Sequence, residues 1–132
     1  MKKYVHQNIY GMSRAGKISA DGDTYEIYVN TDDAGKIPHF HFRTINDWSR
    51  FHSCIRIESA KYFLHGSKDD KLNAKQKKEL QKFMLESTSA NIYDAQGNRI
   101  NNWQYICILW NGNNSDVLID RTVDQPDYTQ LK

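Results

Sequence analysis

The first half of the chain alternates apolar and polar positions. Tyr25, Ile27 and Val29 alternate with Thr24, Glu26, Tyr28 and Asn30, the period of a half-buried strand. Pro38-His39-Phe40-His41-Phe42 repeats that period. It predicts a second strand, with Phe40 and Phe42 on one face and His39 and His41 on the other. Pro38 is tolerated at the start of such a strand. A third run covers Phe51–Ile57: Ser53, Ile55 and Ile57 face one way, and His52, Cys54, Arg56 and Glu58 the other. The connections, Asn30–Lys36 and Thr44–Arg50, are loops by composition. Three strands sharing one apolar face make an antiparallel meander. Residues 1–22 hold Gly11, Gly16 and Gly22 and read as an irregular N-terminal arm, with a short strand near Tyr4–Tyr10.

The period then changes. Asn73 with Gln76 three residues on has the form of a capping box. In the helix it opens, Leu80, Phe83 and Met84 share one face, and Lys75, Lys78 and Lys82 lie opposite. Asn101-Asn102 opens a second helix, in which Trp103, Ile106, Cys107 and Trp110 follow helical spacing. The run Ile106–Trp110 also fits a buried strand, which periodicity alone does not separate from a helix. Asn111-Gly112-Asn113-Asn114 stops it. Val117-Leu118-Ile119 reads as an edge strand whose free edge would suit a dimer, and residues 121–132 as an extended polar tail. With no repeat and no linker, residues 1–132 form a single domain. The expected fold is α+β: a small, mainly antiparallel sheet with two helices packed on one face.

Composition narrows the class without naming a function. Apolar residues at 39% and charged residues at 26% are ordinary for a globular chain, and eight Tyr, five Phe and three Trp argue against disorder. A formal net charge of +2 is too small to imply nucleic-acid binding by itself. Two cysteines, Cys54 and Cys107, sit in no CxxC spacing and read as reduced thiols. The segment Met1–Gln7 has no apolar run behind it, and no stretch approaches membrane-spanning length, so a cytoplasmic protein with no membrane partner is expected.

Chemistry concentrates on the histidine face. If the second and third strands are neighbours, His39 and His41 share a face with His52, Cys54, Arg56 and Glu58. One reading is proton transfer at an RNA 2′-hydroxyl and leaving oxygen, with Arg56 steadying the phosphate. A second is a divalent transition metal on His39, His41 and His52, with Glu58 or water completing the shell. The plain alternative is a half-wet polar sheet face. Cys54 on that face reads as a small filler or a fourth ligand. Lys75, Lys78 and Lys82, extended by Lys68 and Lys71, form either a phosphate-contacting ridge or a solvated helix face. Trp103 and Trp110 fit the core; His65 fits a turn or a closing lid over the histidines; His6 has no visible partner. There is no P-loop, GxGxxG or HExxH, so no cofactor is expected.

The stretch from Tyr25 to about Met84 resembles a family of small bacterial proteins of unknown function, carried here by Ile27-Tyr28-Val29-Asn30, Asp32-Asp33, Pro38-His39-Phe40-His41-Phe42 and Leu72 through Leu80. Here Asp32-Asp33-Ala34 stands where that family often has a further His, and Ile37 where a second Pro is usual. Its members are commonly encoded beside a small antitoxin candidate. The resemblance therefore implies an α+β fold and one half of a toxin–antitoxin pair. The expected function is a toxin–antitoxin-type or phage-conflict protein acting on or binding RNA, at its most concrete a metal-independent ribonuclease. His39, His41 and His52 would be its catalytic residues; Arg56, Lys75, Lys78 and Lys82 would bind phosphate. A cognate antitoxin and RNA are the partners this implies. A non-catalytic protein-interaction module is the alternative, and a divalent-metal-binding protein the third reading.

Overall fold

The computed structural model describes residues 12–30, 36–47, 49–63, 69–113, 118–119 and 123–132. Its order is β1 (Met12–Ala20), β2 (Asp23–Asn30), β3 (His39–Thr44), β4 (His52–Arg56), α1 (Ala74–Leu85), α2 (Asn102–Asn113) and a 3-10 turn at Tyr128–Gln130. The strands form one antiparallel sheet in the order β1-β2-β3-β4. This is the expected α+β fold, with one strand more in the sheet than the predicted three-strand meander.

The extra strand is β1, which the sequence pattern had assigned to an irregular arm. Asp21 and Gly22 connect it to β2, both at positive φ (52° and 80°). Positive φ at two successive residues makes the turn that matches strand twist in a tight hairpin. Between Arg14 and Gly16 the register slips by one residue, a β-bulge. At Gly16 the ring of Phe83 comes so close that a Cβ would lie 2.6 Å from its Cε1. The missing side chain thus lets α1 seat on β1.

Tyr25, Ile27 and Val29 of β2, Phe40 and Phe42 of β3, and Ile55 of β4 form the apolar side, with Ile57 just past β4. Leu80, Phe83 and Met84 of α1, and Trp103, Ile106, Leu109 and Trp110 of α2, cover it. The α1 cap is the expected one: Asn73 Oδ1 accepts from Gln76 N at 2.8 Å, and Gln76 Oε1 accepts from Asn73 N at 2.7 Å. The same reciprocal pair, Asn101 with Gln104, opens α2 at 2.9 Å in both directions. Residues 106–110 are helical, which settles the strand alternative. Trp103 donates through Nε1 to Ile57 O at 2.9 Å, confirming a core role.

The end of the chain is not a loose extension. Tyr128 is fully buried, and its hydroxyl is 2.9 Å from Arg56 O and 3.0 Å from Ile57 O. Leu131 joins the same core. Tyr4–Tyr10, His6, most of the 30–36 loop, His65, Lys68 and Val117 lie outside the described residues, and the edge-strand expectation rests largely there. No helix among the described residues is long and apolar enough to cross a membrane.

Candidate functional site

The sheet's second face is where the histidines project. Antiparallel register sets His41 opposite Cys54, His39 opposite Arg56, and Arg43 opposite His52. Across the other seam, Tyr28 lies opposite His41 and Glu26 opposite Arg43. Pairing across a ladder brings opposed side chains to about 5 Å at Cβ, so one face collects these groups without any long-range loop.

Three donor atoms converge there. His41 Nδ1 and His52 Nε2 share a hydrogen bond of 2.9 Å. Cys54 Sγ lies 3.3 Å from His41 Nδ1 and 3.9 Å from His52 Nε2. Among the described residues, these three form a group whose ligand atoms lie within 4.8 Å of one another. Cys54 is fully buried, His41 is 3% exposed, and His52 is half-buried at the rim.

The surroundings hold these side chains in place. Tyr28 stacks on the His41 ring, centroids 4.6 Å apart and planes 13° from parallel. The Arg43 guanidinium lies 4.2 Å over the far part of that same system, on the Tyr28 ring. Arg43 Nε donates to Glu26 Oε2 at 2.7 Å, and Arg14 Nε donates to Glu26 Oε1 at 3.0 Å. His52 is pinned through its backbone: its N–H donates to Asp70 Oδ2 at 2.9 Å, and its carbonyl accepts from Asp70 N at 2.8 Å. Asn30, the last residue of β2, places its side-chain amide 3.2 Å from His41 Nε2.

The predicted residues are not all brought together. His41 and His52 are. His39 stands beside them, its ring centroid 5.2 Å from that of His41, but it is fully buried and stacks on Phe63 at 4.2 Å. Its Nδ1–H donates to Ile37 O at 2.7 Å. His39 and His41 are under cover rather than on an open, half-wet face. Arg56 is half-buried, with its Nε enclosed and lacking a hydrogen-bond partner among the described residues. Glu58 is not part of the three-donor group.

The lysine ridge belongs to a different surface. Lys75, Lys78 and Lys82 are exposed on α1, which covers the apolar side, so the sheet separates them from the His41–His52–Cys54 cluster. Lys75 Nζ is 3.4 Å from Asp21 Oδ1. Cys54, weighed from sequence mainly as filler, is the third corner of the cluster. The signal that pointed to it was its place two residues after His52 in an alternating strand. As for the other thiol, burial first, then the negative charge of Glu58, pushes Cys107 up to about 12, which makes it a poor nucleophile. Cys107 also lines an apolar cavity of about 660 Å³ against α2, together with Ile92, Ile100, Trp103 and Ile108; none of the three donors reaches it.

The chain matches no protein-family model, and neither the curated proteins nor the solved structures contain a match to it.

Proposed function

We propose that the protein binds one divalent transition-metal ion of the zinc class through His41 Nδ1, His52 Nε2 and Cys54 Sγ. The observation that carries this reading is the convergence of those three atoms. Tetrahedral zinc, with Zn–N of about 2.0–2.1 Å and Zn–S of about 2.3 Å, needs donor edges of about 3.3 Å between nitrogens and about 3.6 Å from nitrogen to sulfur. The edges here are 2.9, 3.3 and 3.9 Å, each within about half an ångström of those values. The ion needs little rearrangement to enter.

The donor chemistry selects the ion class. One thiolate and two imidazoles suit zinc, cobalt or copper, whereas magnesium and calcium take oxygen donors. The thiolate offsets part of the ion's charge, which a buried site requires. Three donors leave one tetrahedral position for water or a further ligand. Acid–base chemistry on RNA asks for rings open to solvent, and the burial of His39 and His41 favours the metal over that reading.

Zinc competition against a chromogenic chelator tests this on the full chain. One ion per chain is expected, with binding lost in Cys54→Ser and in His52→Gln and retained in His39→Gln. Cobalt loading should give a thiolate-to-metal charge-transfer band that Cys54→Ser removes. Failure of the wild-type chain to compete, or undiminished binding by Cys54→Ser, would overturn the proposal.

A further inference from the structure

Two arginines of β3 and β4 stand on the histidine face in different states. Arg43, opposite His52, is held by Glu26, whose other carboxylate oxygen takes Arg14. Arg56, opposite His39, is half-buried and forms no ion pair among the described residues. Its Nε is enclosed and has no hydrogen-bond partner there. An enclosed donor without an acceptor is costly and uncommon, and a bound ion is one of its standard explanations. A guanidinium also keeps its charge at every pH the fold meets.

The position of Arg56 gives that charge a use. Opposed residues of an antiparallel ladder share a face, so Arg56 rises from the same side as His39, His41 and Cys54. Along β4 this face carries His52, Cys54 and Arg56 in turn. The first two belong to the three-donor cluster. Arg56 is the next residue, roughly 6–7 Å further along the strand, a distance within reach of an arginine side chain. Resting on the metal reading, we propose that the fourth position on the ion takes an oxyanion, a carboxylate or phosphate group, and that Arg56 binds it. One oxygen of the anion ligates the metal, and a second accepts from the Arg56 guanidinium.

Charge selects the ligand class. A single thiolate leaves a divalent ion net positive, and Arg56 adds a second positive charge on a face where Cys54 and His41 are covered. Charges out of bulk water need partners, and an oxyanion neutralises both at once. A neutral or cationic ligand would leave the guanidinium without a counter-charge. The planar fork of an arginine matches the paired oxygens of carboxylate and phosphate, whereas a lysine offers a point charge. Zinc accepts oxygen as readily as nitrogen in its open position.

The test titrates inorganic phosphate, and separately acetate, into the cobalt-loaded full chain at constant ionic strength. The visible cobalt bands report a change of ligand in the fourth position. Wild type should show a saturable change with at least one of the two anions; which one responds assigns phosphate or carboxylate as the source. Arg56→Gln should load cobalt and keep the thiolate charge-transfer band, which shows that it folds, and bind the anion about 10- to 100-fold more weakly. Arg56→Lys, which keeps the charge and loses the fork, should fall between the two. Anion binding by Arg56→Gln as tight as wild type would refute the role of Arg56. Cobalt bands of wild type indifferent to both anions would refute the ligand class. Failure of wild type to load cobalt defeats the metal reading and this assignment with it, and is seen before any anion is added.

Discussion

Glu26 offers the sharpest energetic test of the polar face that carries the cluster. Its side chain is 2% exposed and lies between two guanidiniums, with Arg43 at 2.7 Å and Arg14 at 2.8 Å. The two contacts differ in environment: the Arg43 side chain is 6% exposed, whereas that of Arg14 is 45% exposed. Replacing Glu26 by Ala leaves the nearly enclosed Arg43 charge without that carboxylate. Breaking a buried ion pair from one side costs about 3–5 kcal/mol. Replacing Arg14 by Ala removes a pair that solvent already screens, and the expected loss is below about 1 kcal/mol. Urea denaturation of the two variants measures the contrast directly. A domain of this length loses roughly 3–5 °C of Tm per kcal/mol, so Glu26→Ala should melt about 10–20 °C below wild type. A Glu26→Ala loss equal to that of Arg14→Ala would refute the reasoning, because it would mean that the sheet face is wet in solution. The same face orders Tyr28 between Arg43 and His41, so this measurement also probes the wall of the His41–His52–Cys54 cluster.

Two further outcomes follow from geometry already described. Gly16→Ala drives a methyl into the Phe83 ring; overpacking of this kind costs about 1–3 kcal/mol, and a thermal melt that matched wild type would show that α1 does not seat there. Alkaline pH should destabilise the fold through Cys107. Its thiol stays neutral in the fold up to about 12, while an unfolded thiol ionises near 8.5. Stability from this group is therefore intact below about pH 8 and falls as the unfolded chain loses its proton, by roughly 2 kcal/mol between pH 8 and pH 10. Cys107→Ala should remove that part of the decline in urea titrations at the two pH values, and identical slopes for variant and wild type would contradict it.

Period-2 alternation made β2, β3 and β4 legible, because each has one face of large apolar residues. The faces assigned to Phe40, Phe42, Ile55 and Ile57 are the ones the core uses. The two helix caps were legible for the same reason: Asn73 with Gln76 and Asn101 with Gln104 state their hydrogen bonds in local sequence. β1 was not legible by period. Its buried positions are Ser13, Ala15, Ile18 and Ala20, three of them small, with a one-residue slip between Arg14 and Gly16, so neither size nor period betrays the strand. The Asp21-Gly22 dipeptide was the available signal, since it favours the two-residue hairpin turn. Two of the three residues of the candidate cluster were legible. His41 and His52 required only adjacent strands. Burial of the face was not, because alternation distinguishes two sides of a sheet without saying whether the polar one is wet. Nor could spacing tell that Cys54 rather than His39 completes the group; that depends on which ring nitrogen each rotamer presents, which register alone leaves open.

Both strands that supply the cluster are neighbours in sequence as well as in space, and His41 lies only 13 positions before Cys54. An ion seated there clips a single ribbon and closes a short loop, so its entropic contribution through chain closure is small. The donors need no helix to meet. They can come together as soon as that ribbon zips, on the microsecond scale of hairpin formation, so capture of an ion on the proposed site would be an early event of folding and its loss a local loosening of one ribbon.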